Sequence, residues 1–268
     1  MIPHIHQVEQ HKTSVRGIEA MTLCSNHHFP RHTHDQFGCG VVLGGAHRSW
    51  SGIGQVEASA GEAIMCSPGE VHDGVPIEGK VRRWRMLYFD PALVAAELAG
   101  EDVGAIEFIR PVARDEVLVE RFRHLFGCVT GAQSDHLAME ENMLRALMYI
   151  LRRHGMARPP GSSLSPPVDR AIRRLDAAPE LSVSLAELAA LSGVSRFQLL
   201  RSFAREMGIT PHAYLLQRRV RLARQLLAHG RTPAQAAILA GFADQAHMTR
   251  VFVRQVGITP RRYQAAIA

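Results

Sequence analysis

Arg201 and Arg250 occupy equivalent places in two short, basic, amphipathic segments, 49 positions apart. A guanidinium presented there has the donors to take the O6/N7 edge of a guanine. In the first segment Leu199 and Phe203 are four apart and mark the core side. Phe197, Leu200 and Arg201 then share another side, with Arg196 and Arg205 at its edges. Apolar groups beside an arginine suit thymine methyls next to a guanine; the alternative is that Phe197 or Leu200 is simply buried. In the second segment Met248 and Phe252 mark the core, so Gln245, Ala246, His247, Thr249 and Arg250 face outward. Gln245 suits an adenine edge and Arg250 a guanine edge. Arg218, Arg254 and Arg262 suit phosphate oxygens, which add affinity without sequence information, or are solvated charges.

The elements that must hold these side chains are legible from their ends. Glu206-Met207-Gly208-Ile209-Thr210-Pro211 is echoed by Gln255-Val256-Gly257-Ile258-Thr259-Pro260, so one supersecondary unit occurs twice. Ser184 with Glu187, Ser195 with Gln198, and Thr232 with Gln235 have capping-box spacing, and Asp244 takes the cap position of Ser195 in the second unit. Thr210-Pro211 and Thr259-Pro260 are cap-plus-proline starts. Ser192-Gly193-Val194-Ser195 and Gly241-Phe242-Ala243-Asp244 are tight turns between short helices, which predicts two helix-turn-helix units. Between them Ala213, Leu216, Val220, Ala223 and Leu227 form the apolar stripe of a longer helix, whose other face carries Arg218, Arg219, Arg221 and Arg224. Two reading helices related by repetition rather than a dyad imply a non-palindromic site with elements about 10 base pairs apart.

Charge follows the same division. From Val168 onward there are 15 arginines, no lysine and 6 acidic residues, a balance of +9; the first 167 residues carry 16 basic and 19 acidic groups, a balance of −3. Such asymmetry points to a nucleic-acid-binding half attached to something else. Residues 158–167, rich in Pro, Gly and Ser, read as a linker, with the DNA-binding domain at 168–268. The C-terminal hundred residues resemble the AraC/XylS transcription regulators, which carry two helix-turn-helix units joined by a long helix. The resemblance rests on Gly241-Phe242, Phe252, Gly257, Pro260 and Tyr263. Ala243-Asp244-Gln245-Ala246-His247 departs from the serine and aromatic often found there. The resemblance implies double-stranded DNA as partner, favours activation, and adds RNA polymerase as a candidate partner.

Residues 15–90 are punctuated by Gly and Pro and hold short strand-like runs such as Gly40-Val41-Val42-Leu43 and Trp84-Arg85-Met86-Leu87-Tyr88-Phe89, the pattern of a sandwich or barrel. Residues 1–90 form this first domain, and 91–157 a helical segment. Leu137, Leu144, Met148 and Leu151 make one apolar stripe on a helix over 136–154, which packs on the barrel or forms the seam of a homodimer. The fold class expected is two-domain α+β: a cupin-like β-barrel with following helices, then an all-α double helix-turn-helix.

Gly61, Pro68, Gly69 and His72 resemble the second signature of the cupin barrel, and His32 and His34 the first. That resemblance implies two histidines on one strand and a third from a neighbour, converging on one divalent transition metal such as Zn, Ni or Fe. The carboxylate that usually follows the first pair is missing: the stretch is Asp35-Gln36-Phe37-Gly38-Cys39. Regulators of this architecture often bind a small effector without metal, so His32, His34 and His72 are metal ligands, effector-lining groups or structural histidines, and no cofactor is required. Arg48 and Trp50 alternate, as do Arg83, Arg85 and Leu87. Pointing inward, Arg48 and Arg85 would suit an anionic effector; pointing outward they are ordinary solvated arginines. A metal-dependent cupin enzyme or metal sensor fused to a DNA-binding domain is the rival reading, and a redox sensor using Cys39 and Cys66 a third. The four cysteines have no CxxC spacing, and no apolar run has membrane-spanning length. The chain is expected to be a non-enzymatic, cytoplasmic regulator with no membrane partner.

Overall fold

The computed structural model describes residues 3–97, 106–131, 136–157 and 164–267. The chain forms two compact units, 1–159 and 160–268.

The first unit is built on two antiparallel sheets. Strands β1 (His6–His11), β2 (Ile18–Ser25), β9 (Arg82–Phe89), β4 (Phe37–Gly44), β7 (Ala63–Cys66) and β11 (Val112–Ala113) make a six-stranded sheet in the order β1-β2-β9-β4-β7-β11. Strands β3 (Phe29–His32), β8 (His72–Pro76), β5 (Ala46–Ser51) and β6 (Gly54–Ser59) make a four-stranded one in the order β3-β8-β5-β6. Ring contacts of Phe29 and His47 with Trp84 join the two sheets across the interior. On the other face of the large sheet lie α2 (Glu116–Thr130) and α3 (His136–His154). Their Leu118, Phe122, Leu125, Phe126, Met143 and Leu147 pack into one core with Ala20, Phe37, Val41, Leu87 and Phe89 of the strands. Each of these side chains larger than alanine stabilises the fold by roughly 1.5–3 kcal/mol relative to exposure. Strands β2 and β4 are therefore covered on both faces, which is why β4 reads as an apolar run without alternation. Gly40 lets β4 and β9 approach: a Cβ there would collide with the Arg85 carbonyl.

Several expectations are corrected. Strand β1 was not anticipated, because its sequence His-Gln-Val-Glu-Gln-His is largely polar. Residues 91–157 are not purely helical. Beside α1 (Pro91–Glu97) they include β11 and the pair β10 (Ile106–Phe108) and β12 (Gly155–Ala157), strands of two or three residues, too short for a periodicity. On α3 the buried face is Met139, Met143, Ala146, Leu147 and Ile150, whereas Leu137 is 73% exposed and Met148 36%. Of the stripe read from the sequence, Leu137 and Met148 thus point away from the barrel core, whereas Leu144 is half-buried and Leu151 packs against that core. Apolar residues cover most of this helix, and spacing alone does not say which side is buried.

The second unit is helical: α4 (Pro166–Ala177), α5 (Leu185–Ser192), α6 (Arg196–Met207), α7 (Pro211–Ala228), α8 (Pro233–Leu239), α9 (Gln245–Val256) and α10 (Pro260–Ile267). Of the expected linker, residues 158–163 lie outside the described residues, and Pro166-Pro167 belong instead to the first turn of α4. Proline's missing N–H costs nothing there. Ser184, Ser195 and Thr232 each close a full capping box, and Thr210 and Asp244 cap α7 and α9 through the N–H of Ala213 and His247. The 18 residues of α7 span about 27 Å. Its Val220, Ala223 and Leu227 are buried, and it packs on α4, α6, α8, α9 and α10.

Candidate functional site

Two surfaces carry chemistry, one in each unit. In the second unit α6 and α9 each bury one face and present another. Leu199, Phe203, Met248 and Phe252 are fully buried. On α6 Arg196, Phe197, Leu200, Arg201 and Arg205 are exposed, Phe197 by 71%, which settles its two alternatives in favour of the outward one. Ser195 is occupied as a cap: its Oγ accepts from the Gln198 N–H at 3.2 Å, and Gln198 Oε1 accepts from the Ser195 N–H at 3.0 Å. Arg205 pairs with Glu206 at 3.0 Å. On α9 Gln245, Ala246, Arg250 and Arg254 are exposed, while Thr249 is half-buried and His247 lies edge-on to Phe242 at 5.4 Å. The outward set is thus narrower than expected, with Gln245, Ala246 and Arg250 at its centre.

Other arginines of this unit hold the fold. Arg218, expected on a phosphate, donates to Asp176 at 2.8 Å and is largely covered. Arg219 donates to the Pro179 carbonyl at 2.8 Å, and Arg224 sits over the Tyr263 ring. They are drawn inward because the end of α4, the loop after it and α10 leave acceptors and a ring face beside α7. Sequence spacing could place them on one helix face but not say what packs there.

In the first unit His32, His34 and His72 come together, with ring centroids 4.6–5.2 Å apart. One nitrogen from each lies within 4.8 Å of the others. His32 and His72 are cross-strand partners on β3 and β8, whereas His34 lies beyond the end of β3, in a bend whose carbonyl accepts from the Gly69 N–H at 2.7 Å. The expectation of two histidines on one strand is corrected accordingly. The His32 Nδ1 meets the Pro30 carbonyl at 2.7 Å and the His72 Nδ1 the Glu70 carbonyl at 3.1 Å. A carbonyl can only accept, so both rings carry their proton on Nδ1 and keep the Nε2 lone pair. Burial lowers the pKa of both, that of His72 to about 3, so these imidazoles are neutral at pH 7.

The remaining effector candidates do not join them. Arg48 pairs with Glu57 at 2.8 Å on the outer side of β5, and Trp50, on the same side, is covered by Arg31 at 3.9 Å. Arg85 lies under α2 with its guanidinium 4.7 Å from the Phe126 ring. The inward residues of β9 are Arg82, Trp84, Met86 and Tyr88, one position out of phase with Arg83, Arg85 and Leu87; a slip of one residue exchanges the faces of a strand. Cys39 and Cys66 are buried, which pushes the Cys39 thiol up to about 12 and Cys66 up as well. Thiols held protonated are poor nucleophiles, so the geometry does not favour a redox sensor.

Comparison with known proteins agrees with both halves. Residues 14–147 match the AraC-like ligand binding domain and residues 188–266 a helix-turn-helix domain. The chain belongs to the AraC family. An uncharacterised helix-turn-helix transcriptional regulator of Bacillus subtilis is 28% identical over 92% of the chain and 87% of its own length. The arabinose operon regulatory protein of Escherichia coli is 28% identical over 76% of the chain and 72% of its own length. The crystal structure of ToxT from Vibrio cholerae, 9% identical, superposes with a TM-score of 0.57 over 95% of this chain and 99% of that one. This AraC-family chain is thus a DNA-binding transcription regulator with an N-terminal ligand-binding domain. Among its described residues no helix is long and apolar enough to cross a membrane.

Two groups of this AraC-family barrel have no counterpart among the sequence-derived candidates. His47 is inward-facing on β5, and Arg82 is fully buried. Burial, then Arg82 and His32, lower the His47 pKa to about 3. A histidine depressed in the folded state leaves stability intact above its unfolded value near 6.5 and removes it as pH falls below that value. His47 alone is expected to cost the barrel up to about 1.4 kcal/mol per pH unit between pH 6 and 4. Denaturation followed by Trp50 and Trp84 emission at pH 7 and pH 5 measures it, and His47→Gln should flatten the dependence.

Proposed function

We propose that this protein is a cytoplasmic, dimeric transcription activator whose barrel takes a small effector among His32, His34 and His72. The carrying observation is the convergence of those three imidazoles on one half-buried patch, away from the DNA-reading helices in sequence and in a separate compact unit. The DNA surface is Arg196, Phe197, Leu200, Arg201 and Arg205 with Gln245, Ala246 and Arg250, and Arg254 is a phosphate contact. RNA polymerase is the partner through which an activator of this kind acts. No enzymatic step is assigned: with His32 and His72 locked as Nδ1–H tautomers, the cluster offers lone pairs rather than a proton-transfer relay.

A divalent transition metal is a second reading that the donor set favours. Three imidazoles, two of them oriented by backbone carbonyls, are the ligands and outer contacts such an ion uses. Ligand nitrogens around a tetrahedral ion lie about 3.4 Å apart, so the three rings need only small rotations. Such an ion would supply a Lewis-acid position for the effector, with His32, His34 and His72 as its holders. Metal analysis of protein purified without added metal should find about one ion per chain, lost in His72→Ala.

The dimer seam is supported by α3. Its outward stripe of Leu137, Leu144 and Met148 has Glu140 and Glu141 toward one end and Arg152 and Arg153 toward the other. Antiparallel pairing of two copies would set the acids of one against the arginines of its partner. Leu144→Arg should convert a dimer to a monomer in sedimentation.

The effector reading is tested by a thermal-shift screen of metabolites and divalent metals against the full chain. A ligand at one hundred times its dissociation constant adds about 2.7 kcal/mol. His72→Ala should abolish the response to that ligand and leave basal DNA binding unchanged; an undiminished response in folded His72→Ala protein removes these histidines from the site.

A further inference from the structure

Among the described residues Arg82 is the largest fully buried side chain. Its Nη2 donates to the His27 carbonyl at 3.1 Å and the Gly74 carbonyl at 3.0 Å, while Nε and Nη1 are buried without an acceptor. A guanidinium has five N–H donors, so three of them have no partner here. Its faces are covered by the Trp84 ring at 4.9 Å and the Phe29 ring at 5.8 Å, contacts that satisfy the π system but none of the N–H groups. A buried cation is expensive unless it is paired, and natural cores normally supply a carboxylate. Among the described residues none pairs with Arg82. Glu62 is taken by Arg114, Glu70 accepts from the Ser67 N–H, and Asp73 accepts from the Trp50 N–H.

The surroundings are polar and adjoin the histidine cluster along β8, where Gly74 lies two residues from His72. His47 stands beside Arg82, both against the Trp84 ring, and its Nδ1 is likewise buried without a partner. Its ring lies against the edge of Gly74, where a Cβ would come within 3.0 Å. Strand β8 thus carries both His72 and the Gly74 carbonyl that Arg82 holds, with His47 packed beside Gly74 and the free guanidinium donors next to it.

We propose that Arg82 is the anion anchor of the effector pocket: the effector carries a carboxylate, which enters past the histidines and accepts from Arg82 Nε–H or Nη1–H beside His47. This deepens the effector reading above and rests on it. The ligand supplies the counter-charge that the fold omits, so the binding-competent barrel is destabilised until it is filled, a trade of stability for function that buried sites often make. Charge-assisted hydrogen bonds from a desolvated guanidinium are strong, and a neutral isostere of the same shape forfeits them.

Both tryptophans, Trp50 and Trp84, lie in this unit, so tryptophan emission follows the barrel alone in the full-length protein. The probes are acetate and formate, small enough to enter as the bare head group, against acetamide and formamide at constant ionic strength. Each tenfold increase in acetate above its dissociation constant should raise the barrel's thermal midpoint by about 3–5 °C, with no rise from acetamide. Arg82→Met should abolish the acetate response and raise the anion-free midpoint, since an apolar chain replaces an unpaired buried cation. His47→Gln, which keeps the fold's volume and Arg82 itself, should weaken the acetate response about tenfold and so tests the site if Arg82→Met does not fold. Equal responses to acetate and acetamide, silence of both anions, or an acetate response that survives in Arg82→Met overturns the anchor. The His72→Ala experiment decides the pocket separately, and a neutral metabolite lost in His72→Ala while acetate is silent would keep the pocket and remove the carboxylate.

Discussion

Arg201→Ala and Arg250→Ala are each expected to weaken binding to a selected DNA site by about 1–3 kcal/mol, or roughly 5- to 150-fold, and to relax base preference at one position only. The effect follows from how α6 and α9 are held. Each is capped at its first turn and pinned by a pair of fully buried side chains, Leu199 with Phe203 and Met248 with Phe252. A helix so fixed presents its exposed arginine in one direction, and a bidentate contact to a guanine edge depends on that direction. Arg254→Ala, at an exposed position further along α9, should weaken all sequences alike and reduce the salt dependence by about one counterion. Arg218→Ala should lower the stability of the second unit through loss of its Asp176 partner, with base preference unchanged. Titrations of the four variants on matched and mismatched sites separate these outcomes.

Gly241→Ala should be far more damaging than Gly193→Ala, although both glycines end the first helix of a helix-turn-helix unit. Both have left-handed backbones, with φ of 80° and 69°. That conformation costs an alanine about 1–2 kcal/mol. At Gly193 the nearest atom to an added Cβ is the Arg170 guanidinium at 3.9 Å, so little more is lost. At Gly241 the Cβ would lie 2.3 Å from the Glu180 carbonyl oxygen and 2.7 Å from the Glu180 Cα, backbone atoms that cannot rotate aside. Total destabilisation there should reach about 2–5 kcal/mol, a large share of a domain's stability. Urea denaturation followed by helical circular dichroism compares the two, and equal costs would contradict the turn geometry.

What the sequence disclosed and what it withheld divide along physical lines. Caps and turn glycines act within three or four residues, so Ser184, Ser195, Thr232 and Asp244 announced their helices without tertiary information. The core pairs of α6 and α9 were legible for the same reason, since a four-residue spacing on a polar helix leaves one choice of face. Helix α3 offers apolar side chains around most of its girth. Periodicity therefore found the helix but chose Leu137, Leu144, Met148 and Leu151, of which Leu151 packs on the core, over the buried Met139, Met143 and Leu147. Strand β9 alternates arginine with apolar groups in both phases, and only the opposing sheet decides that Arg82 rather than Arg85 faces the interior. The histidine cluster was legible as a set of residues, while the position of His34 beyond β3 and the inward face of His47 depend on strand pairing that no local pattern encodes.

The most direct measurement is a high-resolution footprint of the full-length protein and of its Arg201→Ala and Arg250→Ala variants on one selected DNA site. Two reading helices in a single chain, joined by the 18-residue α7, predict two protected segments per subunit, about 10 base pairs apart on one face of the duplex. Arg201→Ala should clear one segment and Arg250→Ala the other. Clearance of the same segment by both variants, or a single protected segment in the wild type, would contradict the account and leave only one of the two units reading DNA.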